Sequence, residues 1–370
     1  MRTYPRRAVI GTATLALAAA LTACGEAGDG NDGNDGDGDD GGNGNRTIGL
    51  LLPDTTTTRY EAFDRPVIEA TIAELCGDCG VTYDNAAADT ARQKQQFDTM
   101  LTQGVDVIIL DPVDAAATGQ WVEDAAAEGV PVIAYDRLAE GDVDAYVSHD
   151  NEAVGRLQGR ALLDALGDDA EGARVMMING SPTDPNAALF RAGALEILEP
   201  VVEIVYEQDI EDWDPDIARD TVTSAVRALG TDGFDAVYSA NDGLATGIVN
   251  ALRGAGVEDV PIGGQDAELA ALRRIIAGEQ AFTVHKALIP QAEIAAEIAV
   301  RLLDGEDFSD LTPDSVDSPT TDGVPGVLLT PVTVTVDNIE ETVIADGFHT
   351  ADEICTAELA EECAEAGIGG

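Results

Sequence analysis

Residues 105–137 read VDVIILDPVDAAATGQWVEDAAAEGVPVIAYDR, and this stretch decides the fold. Residues 105–110 are apolar nearly throughout and end at Asp111, a helical pattern follows over 115–128, and residues 130–135 are apolar again and end at Asp136. A strand without apolar/polar alternation is covered on both faces, and such strands spaced by amphipathic helices belong to a parallel sheet. The rhythm continues upstream through strands at 47–52 and 81–83 and helices at 65–75 and 91–103. Downstream it restarts with strands near 145–148, 174–178, 202–206, 236–239 and 260–263, each followed by a helical stretch. At 370 residues the chain exceeds one small domain, so the expected fold class is α/β with two doubly wound parallel-sheet lobes.

Polar residues recur where these strands end: Asp54, Asp111, Asp136, Asp150, Asn179, Asn241 and Asp266. In open α/β sheets the ligand crevice lies beyond the carboxyl ends of the strands, so the set points to a common cleft. A single Asp in that place is ordinarily a helix N-cap; the recurrence in both halves carries the reading. Carboxylates and amides beside arginine, lysine and an indole suit a neutral polyhydroxylated ring, because each hydroxyl both donates and accepts and the ring's C–H face packs on an aromatic plate.

Seventy acidic residues against twenty basic ones give a formal charge of −50, which argues against nucleic acid as a partner. Catalysis has little support: His149, His285 and His349 are isolated, and no HExxH, GxSxG or phosphate-loop pattern occurs. No cofactor or metal is expected. Asp35, Asp37 and Asp39 superficially resemble a calcium loop, but Asp40 stands where glycine is required and Arg46 where the closing glutamate belongs.

The amino terminus reads as an address. Arg2, Arg6 and Arg7 precede an apolar run over 8–20, and Leu21-Thr22-Ala23-Cys24 resembles a bacterial lipobox whose cysteine is lipidated. Residues 1–24 are thus expected to be a lipoprotein signal; Arg6-Arg7 leaves both general and twin-arginine export open. Residues 25–45 are almost wholly Gly, Asp and Asn, an acidic tether of roughly 25 Å reach that cannot bury a core. The remaining cysteines then lie in an oxidising compartment. Bridges Cys76 to Cys79 and Cys355 to Cys363 are the simplest of three connectivities; a redox CxxC would open a helix after a strand, whereas this one follows a helical stretch.

Six passages carry a resemblance: Ala134-Tyr135-Asp136-Arg137, Ser148-His149-Asp150-Asn151, Gly180-Ser181-Pro182-Thr183-Asp184-Pro185-Asn186-Ala187, Ser239-Ala240-Asn241-Asp242, Gly264-Gln265-Asp266-Ala267 and Asp346-Gly347-Phe348-His349. In this order they make residues 46–349 similar to the xylose-binding branch of the periplasmic sugar-binding proteins, whose type I fold joins two lobes by a three-segment hinge. The resemblance implies lobes of residues 46–143 with 286–326 and 144–285 with 327–350, crossovers near 142–146, 282–286 and 326–329, and an extension over 351–370. It implies that Arg59, Tyr60, Asp136 and Arg137 contact sugar from the first lobe, and Asp150, Asn151, Asn186, Trp213, Asn241, Asp266 and Lys286 from the second and the hinge. Tyr60 stands where xylose binders usually carry tryptophan, and His149 where they carry phenylalanine. The implied function is capture of a monosaccharide, D-xylose foremost, by a lipid-anchored monomer outside the cell membrane, for delivery to an ABC permease. The alternative is a sugar-sensing lipoprotein that presents bound aldose to a membrane receptor.

Overall fold

The computed structural model describes residues 46–369. The segments expected to be an export signal and a tether, with Cys24, lie outside the described residues. Among the described residues no helix is long and apolar enough to cross a membrane.

The first half of the chain lays down strands β1 (Thr47–Leu52), β2 (Gly80–Asn85), β3 (Val107–Leu110), β4 (Val132–Tyr135) and β5 (Ala145–His149), with helices α1 (Arg65–Leu75), α2 (Thr90–Gln103) and α3 (Gly119–Glu128) between them. Helix α4 (Asn151–Leu166) opens the second lobe, followed by β6 (Arg174–Asn179), α5 (Pro185–Leu198), β7 (Glu203–Asp209), α6 (Pro215–Leu229), β8 (Ala236–Ser239), α7 (Asp242–Ala255), α8 (Leu269–Ile276) and β9 (Thr283–His285). Then come α9 (Leu288–Asp304), β10 (Asp314–Val316), β11 (Val324–Leu329), β12 (Val332–Val334), α10 (Ala351–Ile354) and α11 (Ala360–Glu365).

The large sheet has seven strands in the order β10-β11-β5-β4-β3-β1-β2, parallel except for the β10–β11 pair. Successive side chains of a strand face opposite ways, and β1 shows the consequence. Ile48, Leu50 and Leu52 join the core under α1 and α9 with Ile68, Ile72 and Ala296, whereas Leu51 joins Phe97, Met100 and Trp121 under α2 and α3. The second lobe is built on the parallel set β7-β6-β8, extended by a bridge from Val237 to Ile262, and on the antiparallel pair β12-β9. Its core gathers Val175, Met177, Phe190, Leu244 and Ile248. Helices α4 and α5 meet so closely that a Cβ at Gly155 would lie 2.1 Å from the carbonyl oxygen of Phe190.

Two lobe boundaries differ from the sequence reading. Residues 145–149 form the fifth strand of the first sheet, paired with β4 on one side and β11 on the other, rather than the first strand of the second lobe. Residues 324–329 are likewise wholly in the first sheet. The chain therefore crosses after His149, after Lys286 and after Leu329. His149 pairs with Leu329, and the Asp150 N–H donates to the Leu329 carbonyl at 3.0 Å, so two of the three crossovers leave side by side. Residues 260–263, expected as a strand, contribute only the single bridge at Ile262.

Cys76 is bonded to Cys79 at the end of α1, and Cys355 to Cys363 between α10 and α11. The carboxy-terminal extension packs Ile354, Cys363 and Ile368 against Leu272 and Ile275 of α8.

Candidate functional site

The loop after β1 turns on Asp54, whose carboxylate accepts from the N–H groups of Thr56 and Thr57 at 2.9 and 2.7 Å. A single π-helical turn over Tyr60–Asp64 then leads into α1, with Arg59 and Tyr60 at its start. Such wide turns are common where side chains are aimed at a site. Arg59 is buried and uses four of its five N–H groups within the protein: Nε and Nη2 donate to Asp64 at 2.8 and 3.0 Å, Nη1 to Asp136 at 2.7 Å and Nη2 to Gln291 at 2.9 Å.

Asp136, just past β4, has φ 59, a region that non-glycine residues rarely enter. Its carbonyl accepts from Tyr146 Oη at 3.0 Å, Ser148 Oγ at 2.7 Å and Asn186 Nδ2 at 3.0 Å, and these donors hold the strained backbone. Burial alone would push the Asp136 carboxyl up, but Arg59, Lys286 and Arg137 outweigh it and hold the group below the usual carboxylate range. Arg137 reaches across the cleft: Nε lies 2.9 Å from Asp184, Nη1 donates to the Pro112 carbonyl at 3.0 Å and Nη2 to Tyr60 Oη at 3.3 Å.

From the second lobe, Asp184 caps α5 by accepting from the Asn186 N–H at 2.8 Å and also takes the Trp213 Nε1–H at 3.1 Å. Trp213 follows Asp212 with both residues left-handed, at φ 54 and 55. Its ring lies on Gly180, where a Cβ would be 2.0 Å from a ring carbon. Asn241 caps α7 through its Oδ1, accepting from the Leu244 N–H at 2.8 Å, and the residue lines the cleft. Asp266, at φ 94, stands 3.0 Å from Lys286 Nζ, and Lys286 also lies over the Phe190 ring.

These side chains converge on a small cavity of about 20 Å³ between the lobes. Of the eleven residues named from sequence, Arg59, Tyr60, Asp136, Arg137, Asn186, Trp213, Asn241, Asp266 and Lys286 line it. Asp150 does not: it is the N-cap of α4, its Oδ1 accepting from the Ala153 N–H at 2.8 Å, and it lies 3.7 Å from Arg156 on the outer side. Asn151 does not line it either. Buried at the start of α4, it donates to Asn186 Oδ1 at 2.9 Å and so orients a residue that does. Thr57, Asp184, Phe190 and Gln265 also line the cavity and were not singled out. Asp184 and Gln265 stand inside the quoted passages, where Asp-Pro reads only as a helix start; Phe190 follows Asn186 by one helical turn and shares its face.

Two lobes of α/β structure closing on a small polar cavity at the strand tips define a ligand receptor of the two-lobed binding-protein class. Residues 48–307 match the periplasmic binding protein domain. The chain is 37% identical over 317 residues to the D-xylose-binding periplasmic protein of Escherichia coli (strain K12), covering 83% of this chain and 92% of that protein. It is 31% identical over 333 residues to the multiple sugar-binding periplasmic receptor ChvE of Rhizobium radiobacter, covering 83% and 92%. Among solved structures, an ABC transporter solute binding protein from Clostridium phytofermentans with bound β-D-glucose aligns with a TM-score of 0.75 at 24% identity, over 84% of this chain and all (100%) of that one. The Caulobacter myo-inositol binding protein bound to myo-inositol aligns with a TM-score of 0.70 at 26% identity, over 82% and 97%. The chain belongs to the periplasmic binding protein family, in its xylose-binding branch. Proteins of this family are solute receptors and not enzymes.

Proposed function

We propose that the protein captures D-xylose, or a closely related aldopentose, outside the cytoplasm and hands it to an ABC permease, held to the outer face of the cell membrane by a lipid on Cys24. The observation that carries this reading is the convergence of charged hydrogen-bonding groups from both lobes on opposing walls of one small cavity. Arg59, Asp136 and Arg137 present one edge of a sugar ring with donors and acceptors; Asn186, Asn241, Asp266 and Lys286 present the other; Trp213 offers a flat apolar face. Identity to the xylose-binding protein over most of both chains supports the pentose.

Binding couples to lobe closure because ligand contacts from both walls exist together only in the closed form. The Arg137–Asp184 pair and the Asn186 bond to the Asp136 carbonyl already draw the lobes together across the cleft. A single copy of the chain supplies the whole site, consistent with action as a monomer.

Isothermal titration of the purified protein with D-xylose, L-arabinose, D-ribose, D-glucose and D-galactose tests the ligand. Saturable binding of D-xylose at micromolar Kd or tighter is expected; no saturable heat with any aldopentose overturns the reading. Mass spectrometry of the membrane-extracted protein is expected to show a lipid adduct on Cys24, and Cys24→Ala is expected to release the chain from the membrane fraction.

A further inference from the structure

Beyond Asn241 the cleft continues. A hollow of about 150 Å³ is lined by Thr56, Thr57, Trp213, Asn241, Thr246 and Glu268, with Pro215 and Gly243 beside them. It shares Thr57, Trp213 and Asn241 with the ring cavity, so these side chains are a common wall between the two spaces. Like the ring cavity it needs both lobes: Thr56 and Thr57 come from the loop after β1, and the remaining residues come from the second lobe.

The chemistry of this hollow suits hydroxyl groups. The backbone of Glu268 is fixed by its N–H donating to Asp242 Oδ2 at 3.0 Å. Among the described residues its carboxyl receives no hydrogen bond, so that group is available to a guest. Burial, with Asp242 and Asp266 adding like charge, pushes this carboxyl up to about 8. At neutral pH it keeps its proton and both donates and accepts, as a sugar hydroxyl requires of its partner. The Trp213 ring, backed by Gly180, borders both spaces and provides apolar surface to each. Thr56 is exposed at the rim and adds a hydroxyl.

We propose that this hollow is a second subsite of the same cleft, and that the protein accepts aldoses bearing a hydroxylated substituent on the ring edge facing Asn241. The inference rests on the reading of the ring cavity as a sugar site. Two sources share this chemistry, the hydroxymethyl group of a hexose and the second ring of a β-1,4-linked pentose disaccharide.

The test is titration calorimetry of the protein and of the variants Glu268→Ala and Thr56→Trp with D-xylose, D-glucose and β-1,4-xylobiose. At least one substituted sugar is expected to bind the unaltered protein within about tenfold of D-xylose. Loss of one hydrogen-bonding partner or filling of the hollow is expected to weaken that sugar about tenfold, with D-xylose changed less than about twofold. Binding of D-glucose alone assigns the hydroxymethyl group, and binding of xylobiose assigns a second ring. Retained D-xylose binding with neither substituted sugar bound overturns the subsite, and so do variants that weaken D-xylose as much as the substituted sugar. If a substituted sugar binds and responds to the variants while D-xylose does not bind, the subsite stands and the pentose assignment falls. If none of the three binds, both fall. Thr56→Trp alters an exposed loop residue, so its result is read independently of any folding cost at Glu268.

Discussion

Lys286 Nζ lies 3.0 Å from Asp266 Oδ1, and both side chains are buried at the point where the chain crosses between lobes. The Asp266 N–H donates to the Val284 carbonyl at 2.8 Å, so the loop carrying the acid is tied to the strand that delivers the lysine. The charge pair, the hinge and one wall of the cavity are therefore a single mechanical unit.

Asp266→Ala strands a buried ammonium. Removing one member of a buried charge pair costs about 2–5 kcal/mol, which in affinity corresponds to a loss of roughly 30-fold or more. Calorimetry with D-xylose reads the affinity, and thermal melts without ligand read the part that belongs to folding. Asp266→Ala binding within threefold of the unaltered protein would remove this pair from the ligand site.

Arg59 is the cation on which two buried acids depend, Asp64 and Asp136. Arg59→Met is expected to destabilise the protein by about 3–5 kcal/mol, because the carboxylates left behind are desolvated and unpaired. The acid limb follows from the same pair. Asp136 is held below the ordinary carboxylate range, so its contribution is present above the unfolded value of about 4 and is lost as pH falls toward the folded one. Melting temperature should therefore drop below about pH 4, and that drop should be smaller in Arg59→Met.

The strands were legible in the sequence where burial on both faces makes them apolar throughout, as in Val107–Leu110 and Val132–Tyr135. Which sheet a strand joins was less so. Ala145–His149 is as buried as its neighbours, and its place in the first sheet is set by parallel pairing with β4 on one side and with the distant β11 on the other, which its apolar pattern does not encode. The β10–β11 hairpin escaped notice because β10 is an exposed polar edge strand. At the site, the same signal, an acid after a strand, marked Asp136, which lines the cavity, and Asp150, which caps a helix. The difference lies in the hinge: once β5 belongs to the first sheet, position 150 opens α4 on the outer side. Asp184 performs both roles at once, capping α5 and pairing with Arg137, and only three-dimensional proximity reveals the second.

Gly180 is required by the indole that lies on it. A Cβ there would fall 2.0 Å from a ring carbon of Trp213, and Trp213 is fixed from behind by its bond to Asp184. Gly180→Ala must displace the ring into the cavity or open the loop, at a cost typical of overpacking, about 1–3 kcal/mol. The chain has two tryptophans, and the other, Trp121, is buried in the first lobe, so a ligand-dependent fluorescence change should arise from Trp213. Trp213→Phe is expected to abolish that change, and Gly180→Ala to weaken binding while shifting the emission of the free protein. An unchanged spectrum with unchanged affinity in Gly180→Ala would contradict the contact.

The pH dependence on the other side of neutrality is set by Asp242 and Glu268. Burial pushes Asp242 up to about 7 against the pull of Arg274, Gln280 and Thr283, and burial with two neighbouring acids pushes Glu268 up to about 8. Both folded values exceed the unfolded ones of about 4, so the folded chain holds protons that the unfolded chain has released. Stability from these groups is complete below about pH 4, declines as pH climbs, and is gone once pH has passed the folded values. Each group removes at most about 1.4 kcal/mol per pH unit over that interval. Combined with the acid limb from Asp136, the melting temperature should peak near pH 5 and fall toward pH 8 before levelling. Glu268→Gln cannot ionise and loses no received hydrogen bond, so it should make the decline shallower and leave the step from Asp242. Differential scanning calorimetry from pH 4 to 9 on both proteins checks this, and a flat profile in the unaltered protein would show that these acids are solvated and ionised in the folded state.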